Sequence, residues 1–185
     1  GACWMAVSFY ELIPLTLYII AALYAVLGLH AWRKRPAPAV TPFAWLMLVM
    51  AWWSFGYGLE LYAQNIADKL FWAKVQYFGA VAIPTLWMQF SLEYTGREGF
   101  GNKFMNYVLW VIPGITLLFV WTNDYHQLIW REVELVREQG LYLLSFTRGW
   151  WHRLFIFYSY GMILSGSTMS AMYALRLPRL YRSQA

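Results

Sequence analysis

Charged residues and cysteine are both scarce in this chain. Of its 185 residues, 12% are charged and 61% are hydrophobic, whereas a soluble domain carries about 25% charged residues. The one cysteine, Cys3, excludes an internal disulfide and a cysteine-based metal cluster. The longest basic run, Arg33–Arg35, is too short to indicate a nucleic-acid interface. We therefore expect a membrane protein without a nucleic-acid partner.

Catalytic motifs are also missing from the sequence. There is no glycine-rich phosphate loop, and no nucleophile stands at motif spacing from a general base. The three histidines, His30, His126 and His152, do not form a metal-ligand pattern. We predict that this chain is not an enzyme, holds no metal and requires no cofactor.

Aromatic residues and long apolar segments are abundant instead. Aromatic residues make up 21% of the chain, including 12 tryptophans, which is typical of the belts that lie among lipid headgroups. A membrane crossing takes about 20 apolar residues. Five segments meet that length approximately: 12–32, 42–63, 70–92, 104–121 and 152–175. They predict an all-α integral membrane bundle of five transmembrane helices, built as a single membrane domain over residues 1–185.

The connection between the last two predicted spans, residues 122–151, is the one long loop. Its segment 128–136 alternates in part between apolar and polar residues. Residues 137–140 form a turn signal, and an apolar segment follows at 141–146. This pattern predicts an external β-hairpin, which needs a surface to pack on because an isolated hairpin is marginally stable in water.

The distribution of basic residues predicts the orientation. One side of the predicted bundle collects eight basic residues against two acids, and the other carries six basic residues against seven acids. Cytoplasmic loops are enriched in lysine and arginine. We expect the N-terminus outside and the C-terminus in the cytoplasm. The basic residues of the predicted cytoplasmic side are Arg33, Lys34, Arg35, Arg97, Lys103, Arg176, Arg179 and Arg182.

A carboxylate and an amine occur at similar predicted depth near the outer side. Glu60 lies about one turn before the second span ends, and Lys74 lies about one turn after the third span begins. The six-residue turn at 64–69 would bring two antiparallel helices side by side and place the two charges within reach. Charged residues inside a bilayer are costly, so they usually pair with each other or line a cavity.

Other polar and aromatic residues reach the same predicted level. Together they predict an external cavity with aromatic walls, the usual chemistry of a small-ligand site. Three interpretations remain open: a structural ion pair, a site that senses a ligand or signal, and a site that handles ions or protons. The candidate ligand-binding residues are Trp53, Tyr57, Glu60, Lys74, Tyr77, Asp124, His126 and His152.

Several further residues have weaker interpretations. Gln89 and Glu93 in the third span are candidates for hydrogen bonds between helices near the cytoplasmic end. His30, beside a tryptophan, is a candidate tetrapyrrole ligand, although a lone histidine is more often a satisfied polar residue. Small residues at close spacing in the fifth span indicate tight helix packing, and they are Gly161, Ser165, Gly166 and Ser170.

Ordered motifs run through nearly the whole chain. They are Trp53-x-x-Gly56-Tyr57-x-Leu59-Glu60, Lys69-Leu70-Phe71-Trp72-x-Lys74-x-Gln76-Tyr77-x-Gly79, Ile83-Pro84-x-Leu86-Trp87, Phe90-x-Leu92-Glu93-Tyr94-Thr95-Gly96, Thr122-Asn123-x-x-His126-x-Leu128-x-Trp130, Tyr158-x-Tyr160 and Pro178-Arg179-Leu180-Tyr181-Arg182-x-Gln184-Ala185. In this order the motifs resemble the N-terminal seven-transmembrane region of bacterial sensor histidine kinases.

The resemblance implies a bacterial inner-membrane protein of a two-component system. It implies an external N-terminus, seven helices and a cytoplasmic output module, which is a PAS or kinase module or sometimes a diguanylate cyclase. The sequence stops before a sixth and seventh span, so we expect a fragment of a sensor or a shortened homologue. Its partners would then be the lipid bilayer and the missing helices or output module of the same protein.

Two functions follow from these observations. The first is a membrane-embedded sensor module that detects a small ligand or membrane cue at its outer mouth. The alternative is an accessory structural or pigment-contacting subunit of a larger membrane complex. In that alternative, other membrane subunits are the partners, and His30 would face a tetrapyrrole.

Overall fold

The computed structural model describes residues 12–97, 103–138 and 141–182. Within them the chain is mostly helical, with one two-stranded antiparallel sheet. Cys3 and the centre of the predicted hairpin turn lie outside the described residues. The elements are α1 (Leu12–Trp32), α2 (Val40–Tyr62), α3 (Ile66–Ala80), α4 (Ile83–Tyr94), α5 (Lys103–Trp121), α6 (Asn123–His126), β1 (Trp130–Glu138), β2 (Leu141–Arg148) and α7 (Trp150–Arg182).

The expectation of five transmembrane helices is not confirmed. Within the described part of the chain, α1 is the helix whose length and apolar composition suffice to cross a membrane, and Asn106–Trp121 of α5 is a shorter apolar helix. The other predicted spans are less apolar, because α2 is rich in tryptophan and tyrosine and α7 carries basic and hydroxyl residues.

The third predicted span, 70–92, is covered by two helices, α3 and α4, with a short interruption between them. α3 ends at Ala80 and α4 begins at Ile83. Pro84 lies in the first turn of α4, where it lacks an N–H to bond the carbonyl four residues earlier and favours a helix start. The two residues between the helices, Val81 and Ala82, keep right-handed helical backbone angles, so the interruption is local.

α2 is the central helix and packs against α1, α3 and α4. It approaches α3 closely at Gly79, where a Cβ atom would lie 2.5 Å from the backbone oxygen of Val49. Real Cβ atoms do not come that close, so only glycine fits. The buried residues of α3 share this face, and they are Lys69, Ala73, Gln76 and Gly79.

α5 contains an internal proline whose missing hydrogen bond is replaced from other helices. Pro113 has no N–H to bond the carbonyl of Leu109, four residues earlier. The hydroxyl of Tyr158 in α7 donates to that carbonyl at 2.7 Å. Thr85 in α4 lies 2.8 Å from the same hydroxyl, oxygen to oxygen. The proline therefore creates a polar contact that joins α4, α5 and α7.

α7 packs mainly on α4, and the predicted small residues differ in their surroundings. A Cβ atom at Gly166 would lie 2.7 Å from the hydroxyl oxygen of Ser91, so this glycine is in tight contact with α4. Gly161 has nothing within 4 Å of such an atom, and Ser165 is exposed. Ser170 is partly buried. The described residues place Gly166 at the helix contact and Gly161 away from it.

The predicted β-hairpin is present in the fold. β1 and β2 are antiparallel, with Leu135 opposite Leu144 and an irregularity between Arg131 and Val133. The hairpin, the start of α3, the end of α5 and the start of α7 lie together, and we call this the hairpin end. The opposite end joins the ends of α1 and α4 to the starts of α2 and α5. We call it the basic end because Arg33–Arg35 and Arg97 lie there.

Candidate functional site at the hairpin end

The root of the hairpin is packed into the helices. Ile129 is fully buried and Trp130 is 2% exposed. They form a cluster with Ala73 of α3 and Val120 of α5. The Trp130 ring meets the Tyr77 ring edge to face, with 5.4 Å between centroids. The aromatic residues that predicted a cavity therefore fill much of this space themselves.

Asn123 fixes the root of the hairpin from α6. Its side-chain oxygen accepts hydrogen bonds from the backbone N–H groups of Ile129 at 2.9 Å and Trp130 at 3.1 Å. Its side-chain nitrogen donates to the Trp130 carbonyl at 3.0 Å. Asn123 is 5% exposed, and both the oxygen and the nitrogen of its side-chain amide form hydrogen bonds. Asn123 was not among the predicted site residues, although it belongs to one of the motifs that carry the family resemblance.

The predicted pairing of Glu60 with Lys74 is wrong. The Glu60 carboxylate accepts a hydrogen bond from the side-chain amide of Gln76, and Lys74 forms its ion pair with Asp124. The reason is the angular position of residues on α3. Lys74 lies five residues after Lys69, which rotates it by about 140° from the face that meets α2.

Lys69 takes the position beside Glu60 that was predicted for Lys74. Its side chain is 0% exposed, and its Nζ donates to the backbone oxygen of Glu60 at 2.6 Å. Lys69 precedes the predicted third span. Burial lowers the pKa of its ammonium group, and the nearby Glu60 carboxylate offsets part of that shift. The sequence contains a signal for this contact: Lys69 and Gln76 are seven residues apart, which places them on the same face of a helix.

Lys74 connects α3 to α6. Its Nζ lies 2.9 Å from a carboxylate oxygen of Asp124. The side chain of Lys74 is 12% exposed and that of Asp124 is 65% exposed. The ion pair therefore lies at the rim of the Ile129–Trp130 cluster, where solvent or lipid headgroups reach its acidic partner.

Tyr77 and His152 connect α3 to α7. The Tyr77 hydroxyl lies 3.3 Å from Nδ1 of His152, which is in the first turn of α7. The Tyr77 ring also packs against Trp130 of the hairpin. These two predicted residues therefore meet, and they join three elements at one point.

His126 has a structural role in the connection from α6 to β1. Its Nδ1 accepts the backbone N–H of Leu128 at 3.1 Å. Its Nε2 lies 3.0 Å from the Thr122 hydroxyl, which itself donates to the Leu118 carbonyl. In this arrangement Nδ1 is the acceptor, and Nε2 faces a hydroxyl that already donates elsewhere. Because both ring nitrogens are used, His126 contributes to the shape of this connection.

Comparison with known families identifies the family of this chain. The family model for the N-terminal 7TM region of histidine kinase matches residues 16–185. The chain belongs to that family. No curated protein and no solved structure matches it. A histidine kinase 7TM region is a membrane-embedded sensory input region, which has no catalytic module of its own and is linked to an output module.

Three further candidates lie apart from the packed cluster of this 7TM region. Trp53 and Tyr57 of α2 are 43% and 39% exposed. The hydrogen bonds and ring contacts described for the hairpin cluster do not include them. His30 is exposed near the end of α1, away from the hairpin.

Metal binding has no support in the described ranges of this 7TM region. Among them, no group of three or more histidine, cysteine, aspartate or glutamate residues could hold a metal ion. The site consists instead of one ion pair, a carboxylate bonded to an amide, a buried lysine and a packed aromatic cluster. These contacts join α2, α3, α6, α7 and the hairpin.

Proposed function

We propose that the chain is the sensing part of a bacterial signal-transduction protein, and that it detects a small ligand or membrane cue at the hairpin end. The candidate site is the rim of the hairpin cluster, where the pair of Lys74 and Asp124 is partly exposed. Glu60 and Gln76 form a second polar contact, between α2 and α3. A cue that binds this rim can act on α3, α6 and the hairpin together.

The observation that carries this proposal is the junction between the hairpin and α7. β2 ends at Arg148 and α7 begins at Trp150, with a single residue between them. The N–H of Gly149 donates to the Ile129 carbonyl at 2.8 Å, and that of Trp151 is 3.2 Å from the Leu128 carbonyl. Both ends of the hairpin are therefore fastened to the first turn of α7, and a displaced hairpin would move that helix.

α7 is suited to carry such a displacement towards the other end. It has 33 residues, which corresponds to about 50 Å at 1.5 Å per residue. Trp87 of α4 donates to the Ser167 hydroxyl at 3.2 Å, so α7 is also bonded to its neighbour midway. A sensor must bind its cue with different affinity in two helix arrangements. In this proposal the two arrangements differ in the position of α7 relative to α4.

The sensing experiment uses the natural protein with its output module. Glu60→Gln and Lys74→Met are compared with Glu134→Gln on the exposed side of the hairpin and Lys34→Met in the basic run. We expect the first two to change the signalling output severalfold at equal protein levels, because they break contacts between α3 and its neighbours. The two controls should leave it unchanged. An unaltered output in Glu60→Gln and Lys74→Met, with normal expression, would exclude this site.

A second experiment tests the orientation that the proposal requires. The proposal places the hairpin end outside and the basic end in the cytoplasm, in accord with the positive-inside rule. In a Cys3→Ser background, Val136→Cys, on an exposed hairpin position, should react with a membrane-impermeant maleimide in cells whose outer membrane is permeabilised. Lys34→Cys should react only after the inner membrane is opened. The reverse pattern would contradict the proposed direction of sensing.

A further inference from the structure

A small pocket lies at the basic end, between the end of α4 and the second half of α7. Its volume is about 40 Å³; because one water needs roughly 10–15 Å³, it has room for about three oxygen atoms. It is separate from the proposed sensing site at the hairpin end. Two arginines, one from each side, are among the residues that line it, and these are Thr95, Arg97, Met169, Met172, Tyr173 and Arg176.

The backbone at the end of α4 fixes the position of Arg97. Gly96 has a φ of 67°, in the left-handed region that glycine adopts readily. The N–H of Gly96 donates to the Glu93 carbonyl at 3.1 Å, and that of Arg97 donates to the Leu92 carbonyl at 3.0 Å. This pair of hydrogen bonds is the Schellman motif, which closes the end of a helix. The backbone of Arg97 is therefore held against the last turn of α4.

A ring contact places Arg176 beside the same helix end. Tyr173 lies three residues before Arg176, on nearly the same face of α7. Its ring meets the ring of Tyr94 in α4 edge to face, with 5.5 Å between centroids. Arg176 itself is exposed, so its guanidinium group is free to turn towards the pocket that it lines.

The charge around this pocket is positive. Within the described part of the chain, neither arginine forms an ion pair with a carboxylate, and no acidic residue lines the pocket. Glu93 in the last turn of α4 instead lines the larger cavity towards α2, where it accepts the backbone N–H of Ala39. The end of the α4 dipole adds roughly half a negative charge, which is less than the two arginine charges. An anionic group is therefore favoured here.

The chemistry of the lining matches a phosphate group. A guanidinium group donates paired hydrogen bonds to phosphate oxygens, and the methionines give the pocket an apolar margin. We propose that this pocket binds a phosphate group that accepts hydrogen bonds from both Arg97 and Arg176. Two sources supply this chemistry: the headgroup of an anionic phospholipid, and free phosphate. Basic pockets between helices on the cytoplasmic side are typical sites for anionic lipid headgroups.

The first test is lipid binding by the full chain, purified in neutral detergent and followed by native mass spectrometry. The probes are dioctanoyl phosphatidylglycerol and dioctanoylglycerol, which has the same acyl chains without the phosphate. We expect phosphatidylglycerol to bind about tenfold or more tightly, because both guanidinium groups bond to the charged phosphate.

Thermal unfolding distinguishes the two sources of phosphate. The chain is unfolded in sodium phosphate and in sodium chloride at equal ionic strength. A ligand that binds the folded state raises the Tm, so a higher Tm in phosphate identifies free phosphate as a ligand. A preference for phosphatidylglycerol without that increase identifies the lipid headgroup.

Paired variants locate the binding. Arg97→Gln with Arg176→Gln should abolish the preference for the phosphate-bearing probe. Arg33→Gln with Lys34→Gln removes the same charge from the same end but outside the pocket lining, and should retain the preference. Arg97→Lys with Arg176→Lys keeps the charge and loses the planar fork, and should weaken binding severalfold. All of these positions are exposed, so each variant should give the wild-type circular dichroism spectrum.

Two results overturn the proposal. One is a wild-type chain that neither prefers phosphatidylglycerol nor is stabilised by phosphate. The other is an equal preference in the two glutamine variants, whether retained or lost, because binding would then not depend on this pocket.

Discussion

The two ends of the molecule join helices in different ways. At the hairpin end, Ile129 and Trp130 are buried among side chains from three helices. At the basic end, helices meet through aromatic pairs, such as Trp32 with Trp45, and through polar contacts, such as Ala39 with Glu93, around a cavity of about 570 Å³. Aromatic residues in the sequence predicted an open site at the hairpin end. Large aromatic side chains fill the space between helices as well as line it. The end with the larger aromatic cluster is therefore the more tightly packed one.

The largest expected effect is the loss of the hairpin's central side chain. Trp130→Ala should lower the free energy of unfolding by about 3–5 kcal/mol, because it leaves a cavity beside Tyr77 and Phe146. Unfolding of the purified chain in mild detergent, followed by far-ultraviolet circular dichroism, measures this. Trp150→Ala, where 52% of the side chain is exposed, is the control and should cost much less. Equal costs for the two variants would show that the hairpin end is not the packed one.

The junction at Gly149 should be the next most sensitive position. A Cβ atom there would lie 2.0 Å from the backbone oxygen of Leu128, and a backbone atom cannot rotate out of the way. Gly149→Ala should therefore cost about 3 kcal/mol, the upper part of the usual range for overpacking. Gly161→Ala, in the open part of α7, should be neutral or stabilising by up to about 1 kcal/mol, because alanine favours a helix over glycine. Similar unfolding midpoints for the two variants would contradict a tight junction.

A pair of asparagines compares the two ends directly. Asn123→Ala removes three hydrogen bonds to the hairpin backbone in a buried place, and we expect a cost of about 2 kcal/mol or more. Asn106→Ala removes one bond at an exposed position of the basic end, and should cost less than about 1 kcal/mol. Denaturant unfolding of both variants under one set of conditions compares the two losses of unfolding free energy. A larger cost at Asn106 would reverse the contrast between the ends.

The smallest predicted effect lies between the ends, at the proline in α5. Tyr158→Phe removes the donor to the Leu109 carbonyl that Pro113 leaves unpaired. We expect a loss of about 1 kcal/mol, which is typical of hydrogen bonds between membrane helices. Tyr160→Phe is the matched control, since its ring is 64% exposed. If both variants unfold alike, the bond from the Tyr158 hydroxyl to the Leu109 carbonyl does not stabilise the fold.

Much of the local structure follows from patterns in the sequence. Alternating residues and a turn signal predicted the hairpin, and the apolar segment 12–32 coincides with α1. The bonds of Gln89 to Asn106 and of Glu93 to Ala39 agree with the expectation that these side chains bond other helices. These features depend on spacing and residue type within a short stretch of chain, which the sequence shows directly.

The partners of charged residues could be predicted less well. Matching depth suggested Lys74 for Glu60, but depth alone does not say which side of a helix faces its neighbour. A small residue on α3 indicates the face that meets α2: Gly79 lies against Val49 of α2. Gln76 and Lys69 contact α2 on the same side of the helix. The packing of Trp130 depends on how a loop folds back over distant helices, and no local pattern contains that information.

The single residue between β2 and α7 also fixes the rotational phase of the longest helix. One inserted residue at Gly149 would turn α7 by about 100° relative to the hairpin. Gly166 would then leave α4, and a larger residue would meet Ser91 in its place. A four-residue insertion, a little over one turn, would nearly restore that face at a shifted height. Changes in the length of this junction should therefore be tolerated in steps of a helical turn rather than one residue at a time.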